Sequence, residues 1–293
     1  MLLKPRPPLV VPRKPERLPK RDRMTLAIGI VCKDALVIAA DTRISYNGGA
    51  ISDAQKVTDF SFPAGRLAVA HSSNDVNAAD TLIGEIGDKV KIAAPRTFRR
   101  LEEAVKQAMK NWYLPVHDNR PTVFLLLGAC LADEDERTLY FCEPPNTMSR
   151  VRDTYKAIGD GWIHADPIYK EWFRQGAPWP LYSSLYQLAY LMHKAKQREP
   201  GTVGGHTDAV VLTDYVREPI WIDRLSMHAA ETSGNVFDAL VAHCAALAIS
   251  VQVVPDRETA EKIARSIAEC GMGNAGMSFR SRDNEIIRHE FYT

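Results

Sequence analysis

From Thr25 onward, short apolar runs separated by polar breaks predict strand pairs first and helix pairs after them. TLAIGIVC (25–32) and ALVIAAD (35–41) are near-continuous apolar runs separated by Lys33-Asp34, the pattern of a hairpin buried on both faces. Residues 54–60 and RLAVAHS (66–72) read as a second strand pair joined through Phe62-Pro63-Ala64-Gly65. Apolar positions at helical spacing predict helices over 76–93 and 97–112, parted by Pro95, with Thr97 as an N-cap. Strands follow at 122–131, 138–143 and 153–158, then helices near 163–174 and 181–197. TDAVVLTD (207–214) pairs with PIWIDRL (219–225), helices follow at 234–249 and 257–270, and a last strand runs from 284 to 292. Antiparallel strand blocks with paired helices between them predict an α+β fold, sheets covered by helix layers, against an alternating parallel sheet.

Residues 1–23 break this rhythm. They hold six prolines and eight Lys or Arg against Glu16 and Asp22, too little apolar area to offset the entropy of ordering them. The segment reads as a disordered or extended arm before a single domain spanning 24–293. Three roles stay open for it: a propeptide removed from Thr25, an untranslated stretch upstream of a true start at Met24, or a basic docking arm. In a chain of net charge +1 the remaining residues are acidic on balance, which argues against a nucleic-acid partner. The five cysteines are odd in number, far apart and mostly in apolar runs, as buried reduced thiols of a reducing compartment would be. With no membrane-length apolar run and no signal peptide, the expected location is the cytoplasm.

The chemistry begins with Thr25. A threonine opening a strand is ordinary by itself, but loss of an initiator Met24 would leave it N-terminal. It would then carry a hydroxyl nucleophile and, beside it, an α-amine of reference pKa about 7.7–8.0 able to act as base. Asp41 closes the second apolar run and requires a partner or water. A turn at 33–35 would set it opposite Ala27 on the face of Thr25, whereas a two-residue turn at 33–34 would set it on the other face. Lys56, just before Val57, can lower the energy of a Thr25 alkoxide and the pKa of the α-amine, with Asp41 holding its ammonium. No phosphate-binding glycine motif and no metal-ligand spacing stands out, so neither cofactor nor metal is expected.

TLAIGIVCKDALVIAADTRIS (25–45) followed by AQKVTDF (54–60) resembles the opening of proteasome β subunits and of their bacterial relatives, the ring peptidase that works with an unfoldase ATPase and the ancestral β-subunit family. That resemblance implies the N-terminal-nucleophile (Ntn) hydrolase fold, a four-layer αββα sandwich of two antiparallel sheets. It implies Thr25 as the nucleophile of a threonine-type endopeptidase or amidase, with Asp41 and Lys56 activating it and Ser45 touching the substrate backbone. RLAVAHSSNDVNAAD (66–80) is similar to the junction that supplies an oxyanion-hole amide, with His71 where glycine is usual and Ser72 next to it. YKAIGDGW (155–162) looks like the Gly-x-Gly turn into the third helix, with Asp160 where active members carry Ser. In REPGTVGGHTDAVVLTD (198–214), Pro200 and Val203 occupy the places of the usual Asp and Ser. Glu199, Asp160 and Asp208 are the carboxylates that could substitute, and a silent structural subunit is the alternative. The implied partners are a peptide or protein substrate, further copies of the chain in a ring or helical assembly, and an ATPase unfoldase. The aromatic helical pair at 162–196 suits core or subunit contacts.

Overall fold

Lys33 and Asp34 form a two-residue turn between β1 (Leu26–Val31) and β2 (Ala35–Asp41), closed by the Cys32 N–H donating to the Ala35 carbonyl at 2.8 Å. The structure, a computed structural model, describes residues 25–45, 51–113, 121–134, 136–145, 147–173, 178–213 and 218–235, and the backbone alone at 278–280 and 286–288. The turn does more than join two strands. Asp34 Oδ1 accepts the Leu181 N–H at 2.8 Å, satisfying a first-turn donor of a helix that lies across the sheet.

After β2 a small separate hairpin, β3 (Arg43–Ser45) with β4 (Ile51–Asp53), rises from the sandwich. The second pair is β5 (Val57–Phe62) and β6 (Gly65–Ser73), so the run expected at 54–60 starts three residues later. Helices α1 (Val76–Ala93) and α2 (Phe98–Tyr113) follow, with Asp75 capping α1 through the Ala78 N–H at 3.1 Å. Strands β7 (Val123–Leu131), β8 (Arg137–Glu143) and β9 (Thr147–Arg150) complete a five-stranded sheet in the order β5-β6-β7-β8-β9. The chain then re-enters the first sheet as β10 (Tyr155–Gly159), against β1.

Helix α3 (Trp162–Ile168) gives way to a wider π-helical turn at Tyr169–Phe173, and α4 (Leu181–Arg198) packs beside it. Pro167 explains the change, since it lacks an N–H and its ring crowds the preceding turn. β11 (Thr207–Thr213) pairs with β2 along its whole length, and β12 (Ile220–Ile222) pairs with β11. The expectation of a strand through 225 is corrected here. Asp223 accepts the N–H groups of Leu225 and Ser226, each at 3.1 Å, and starts helix α5 over 224–235, ten residues ahead of the predicted 234. Residues 236–249 of the helix expected at 234–249, the helix expected at 257–270 and the arm expected at 1–23 lie outside the described residues. β13 (Ser278–Arg280) and β14 (Ile286–Arg288) extend the first sheet to seven strands, β10-β1-β2-β11-β12-β13-β14; the last falls inside the predicted 284–292.

Strand alternation sorts the side chains into three apolar layers. Leu26, Ile28, Ile30, Val37, Ala39, Ala209 and Val211 pack under α3 and α4. Leu67, Val69, Leu125, Leu127 and Ala129 pack under α1 and α2. Ala27, Leu36, Ile38, Ala68, Ala70, Leu126 and Val210 meet between the sheets. Helices, sheet, sheet, helices is the expected four-layer αββα order. At one end of the sandwich the start of β1 and the ends of β2, β6 and β10 converge, and the polar residues gather there.

Candidate functional site

Thr25 precedes β1 and is 5% exposed. Its parity is that of Ala27, which faces the space between the sheets. Lys56 precedes β5 in the other sheet and is 3% exposed, and its Nζ donates to Thr25 Oγ1 at 2.5 Å and to the Arg43 carbonyl. The two residues come from opposite sheets and meet only at this end of the sandwich.

Asp41 completes the group by a less direct route. The register pairs Ala27 with Ala40, which sets Asp41 opposite Leu26 and off the face of Thr25. The carboxylate joins the site through backbone donors instead. Oδ1 accepts the Leu26 N–H at 2.9 Å and Oδ2 accepts the Gly204 N–H at 2.9 Å, with Lys56 Nζ 3.5 Å from Oδ1. Asp41 therefore holds both the residue after Thr25 and the loop before β11. Burial drives the pair toward neutrality. It lowers the Lys56 pKa, which Asp41 partly restores, and raises that of Asp41, which Lys56 and the two N–H donors partly restore.

Gly159, at the end of β10, has φ +87°, and a Cβ there would lie 1.8 Å from the Thr25 carbonyl oxygen and 2.6 Å from Ser72 Oγ. Only glycine fits between Thr25 and β6. Gly161 has the same role one step on, where a Cβ would meet Leu26 Cβ and Val203 Cγ2, each at 2.9 Å. Val203 is buried, so the wall behind β1 is apolar.

His71 and Ser72 diverge, as neighbours on a strand must. Ser72 is fully buried on the inter-sheet face, its Oγ without a hydrogen-bond partner. His71 has the parity of Leu67 and Val69 and turns toward α1; it is 1% exposed, and neither ring nitrogen has a hydrogen-bond partner. Its Nε2 is 3.8 Å from Asp80 Oδ1, beyond hydrogen-bond reach. Burial, then the Lys56 charge, pulls the imidazole down to about 3, so the ring is neutral near pH 7. The His71 N–H donates to the Lys56 carbonyl at 3.2 Å, and so is engaged in the β5–β6 pairing.

The remaining candidates are placed around this centre. Ser45 Oγ donates to the Gly201 carbonyl at 2.9 Å, tying β3 to the loop before β11. Asp160 is half-buried in the turn between Gly159 and Gly161. Glu199 ends α4, with its carboxylate 3.5 Å from His164 Nε2. Asp208 forms a two-point pair with Arg224 at 2.7 and 3.0 Å. Thus Glu199 and Asp208 are committed elsewhere, and the structure does not bring them to Thr25. Lys196, absent from the candidates, is joined to Glu231 at 2.9 Å and to Thr207 at 2.8 Å, the residue across from Asp41 on β11. Among the described residues no three His, Cys, Asp or Glu converge as a metal would require, and no helix is long and apolar enough to cross a membrane.

These groups open into a cleft of about 530 Å³ lined by Thr25, Lys56, His71, the β3–β4 hairpin and the first turns of α1. No family model matches the sequence. Solved structures do match the fold. A Gly-1 mutant of Anbu from Hyphomicrobium sp. strain MC1 superposes at a TM-score of 0.63 with 16% identity, over 76% of this chain and 99% of that one. Anbu, the ancestral beta-subunit, from Yersinia bercovieri gives 0.63 and 16%, over 75% and 97%. The chain has the fold of the ancestral proteasome β subunit. The Anbu complex of Pseudomonas aeruginosa, solved as a helical assembly, gives 0.59 and 16%, over 74% and 95%. The proteasome-type Ntn fold expected from 25–60 therefore holds along most of the chain.

Proposed function

We propose that this protein is a threonine-type amide hydrolase of the Ntn kind, with Thr25 as nucleophile once residues up to Met24 are removed. The contact between Lys56 Nζ and Thr25 Oγ1 carries the reading. A lysine whose pKa is lowered by burial holds a neutral fraction able to take the hydroxyl proton as Oγ1 attacks the carbonyl carbon. The resulting ammonium stabilises the tetrahedral oxyanion's surroundings and returns its proton to the leaving amine. An ester on Thr25 remains, and water, deprotonated by Lys56 or by the freed α-amine, cleaves it. Asp41 keeps Lys56 in place and fixes the backbone just after Thr25 and the loop before β11. Ser45, on the rim, is suited to guide a substrate backbone, and the buried Ser72 hydroxyl beside Gly159 is the unpartnered donor next to Thr25. The likeness to a protein solved as a helical assembly supports self-assembly of this chain, and the substrates of the proposed reaction are peptides or proteins.

Expression from Met24, followed by intact mass and an amide-substrate screen, tests the reading. A mass beginning at Thr25, with turnover that disappears in Thr25→Ala while folding persists, is the expected result; activity retained in Thr25→Ala would refute it.

A second reading, a silent structural subunit of the same fold, is favoured by two observations. The His71 N–H is occupied by the Lys56 carbonyl, and the wall behind β1 is built from Val203 where a proton-relay residue would serve. A protein that starts at Thr25 and turns over no amide would establish it.

A further inference from the structure

The cleft has two electrostatic ends. At the Thr25 end Lys56 is held by Thr25, Asp41 and the Arg43 carbonyl, and Arg43 donates one guanidinium nitrogen to the Pro200 carbonyl while lying against Gly204, its Nε without a hydrogen-bond partner. The cleft is also lined by three carboxylates, Asp53 on the β3–β4 hairpin opposite Arg43, and Asp75 and Asp80 at the α1 end. Asp53 Oδ1 accepts the Thr42 hydroxyl at 3.1 Å, and Asp75 is spent on the positive end of α1. Asp80, one turn further along α1, is exposed, and among the described residues the basic side chain within 4.0 Å of it is the His71 ring. That ring supplies no charge, since it is neutral, and no hydrogen bond at 3.8 Å.

His71 is itself anomalous. A histidine with 1% exposure and two unpartnered ring nitrogens lining a cleft has a donor and an acceptor with nothing to bind. Replacing such a group by a carbon isostere would remove a desolvation cost, unless a ligand provides the missing bond. What would satisfy both His71 and Asp80 is one group with several donors and a positive charge. An ammonium or guanidinium bridging the two from the cleft side could donate to the imidazole lone pair and to the carboxylate together.

We propose that the α1 end of the cleft is a subsite for a cationic side chain, with Asp80 and His71 selecting substrates that carry a lysine, an arginine or a comparable amine near the scissile amide. It rests on the hydrolase reading for the word substrate, but its binding chemistry does not require turnover. The cation would also bring Asp80, whose pKa is raised by burial, back toward the ordinary carboxylate range.

The test separates the two. Butylguanidinium and its neutral analogue butylurea are titrated into the full chain carrying Thr25→Ala, with calorimetry and the His71 ring resonances as readouts. Saturable, salt-sensitive binding of butylguanidinium that moves the His71 resonances is expected, with butylurea inert. Asp80→Asn, a change at an exposed helix position, should weaken binding roughly tenfold, the size of one lost charge-assisted contact. On protein beginning at Thr25, the ratio of kcat/KM for an arginine amide over a leucine amide should fall by a similar factor in Asp80→Asn. Absence of butylguanidinium binding, or binding that Asp80→Asn leaves unchanged, overturns the subsite even where amides are cleaved. Binding without turnover of any amide supports the subsite and removes the hydrolase reading.

Discussion

In the proposed reaction Lys56 supplies both charge and basicity, and the two can be separated there. Lys56→Arg keeps a cation beside Thr25 but removes a group that can release its proton near neutral pH. If the neutral amine is the base, turnover should drop about 10²–10⁴-fold in Lys56→Arg, with the fold retained by circular dichroism. Since burial lowers the Lys56 pKa, the rate in the unaltered protein should rise with pH and level off below the 10.5 of a free lysine. A rate that is flat from pH 6 to 9 would argue for electrostatic help alone. His71 gives a second, independent prediction. Its folded pKa of about 3 lies below the 6.5 of an unfolded histidine, so the unfolded chain binds more protons between those values. The stability contribution is full above pH 6.5 and is lost as pH falls toward 3, on the order of a few kcal/mol. Denaturant midpoints for His71→Phe should therefore fall less steeply on acidification than those of the parent. At this scale Thr25, Asp41 and Lys56 were legible as a group only through the resemblance of 25–60, since each alone has an ordinary structural use. The place of Asp80 in the cleft lining was not legible, because an aspartate on an exposed helix face has the same local pattern whatever lies across from it.

At the scale of elements, alternation and turn residues located most of the strands and helices, and the errors have local causes. PIWIDRL continues an apolar alternation that Asp223 interrupts by capping α5, and a capping aspartate looks like any turn residue until its N–H partners are known. The helix expected over 163–174 was correct in place but not in kind, since Pro167 forces the turn at Tyr169–Phe173 to widen. The sequence admits two registers for the β1–β2 turn, and the tighter one forms. Asp34 helps to explain why, since its carboxylate reaches the first turn of α4 only from this hairpin. Asp34→Ala should cost about 0.5–2 kcal/mol, the range for losing a helix N-terminal cap, read as a shift in the urea midpoint without a change in slope. An unchanged midpoint would mean that water replaces the carboxylate there.

Over the whole molecule, three apolar layers fix two sheets face to face, and the site exists only where both sheets end together. That explains why the fold was readable and the site only half so. Layering follows from alternation within each strand, but the meeting of Thr25 with Lys56, and of Asp41 with Gly204, depends on how sheets and loops stack. About three quarters of the chain superposes on Anbu structures at 16% identity, so the layered fold accommodates wide change of sequence. Self-assembly should appear in light scattering as a species larger than one chain that grows with concentration; a single-chain mass at every concentration would contradict it. The most direct test of the central claim is intact mass of protein beginning at Thr25 after exposure to an electrophile that closes a ring on a threonine hydroxyl and its α-amine. An adduct that maps to Thr25 and is absent from Thr25→Ala is expected. A free N-terminal threonine that takes no adduct would mean that Thr25 is not a nucleophile, and the silent subunit would be the correct reading.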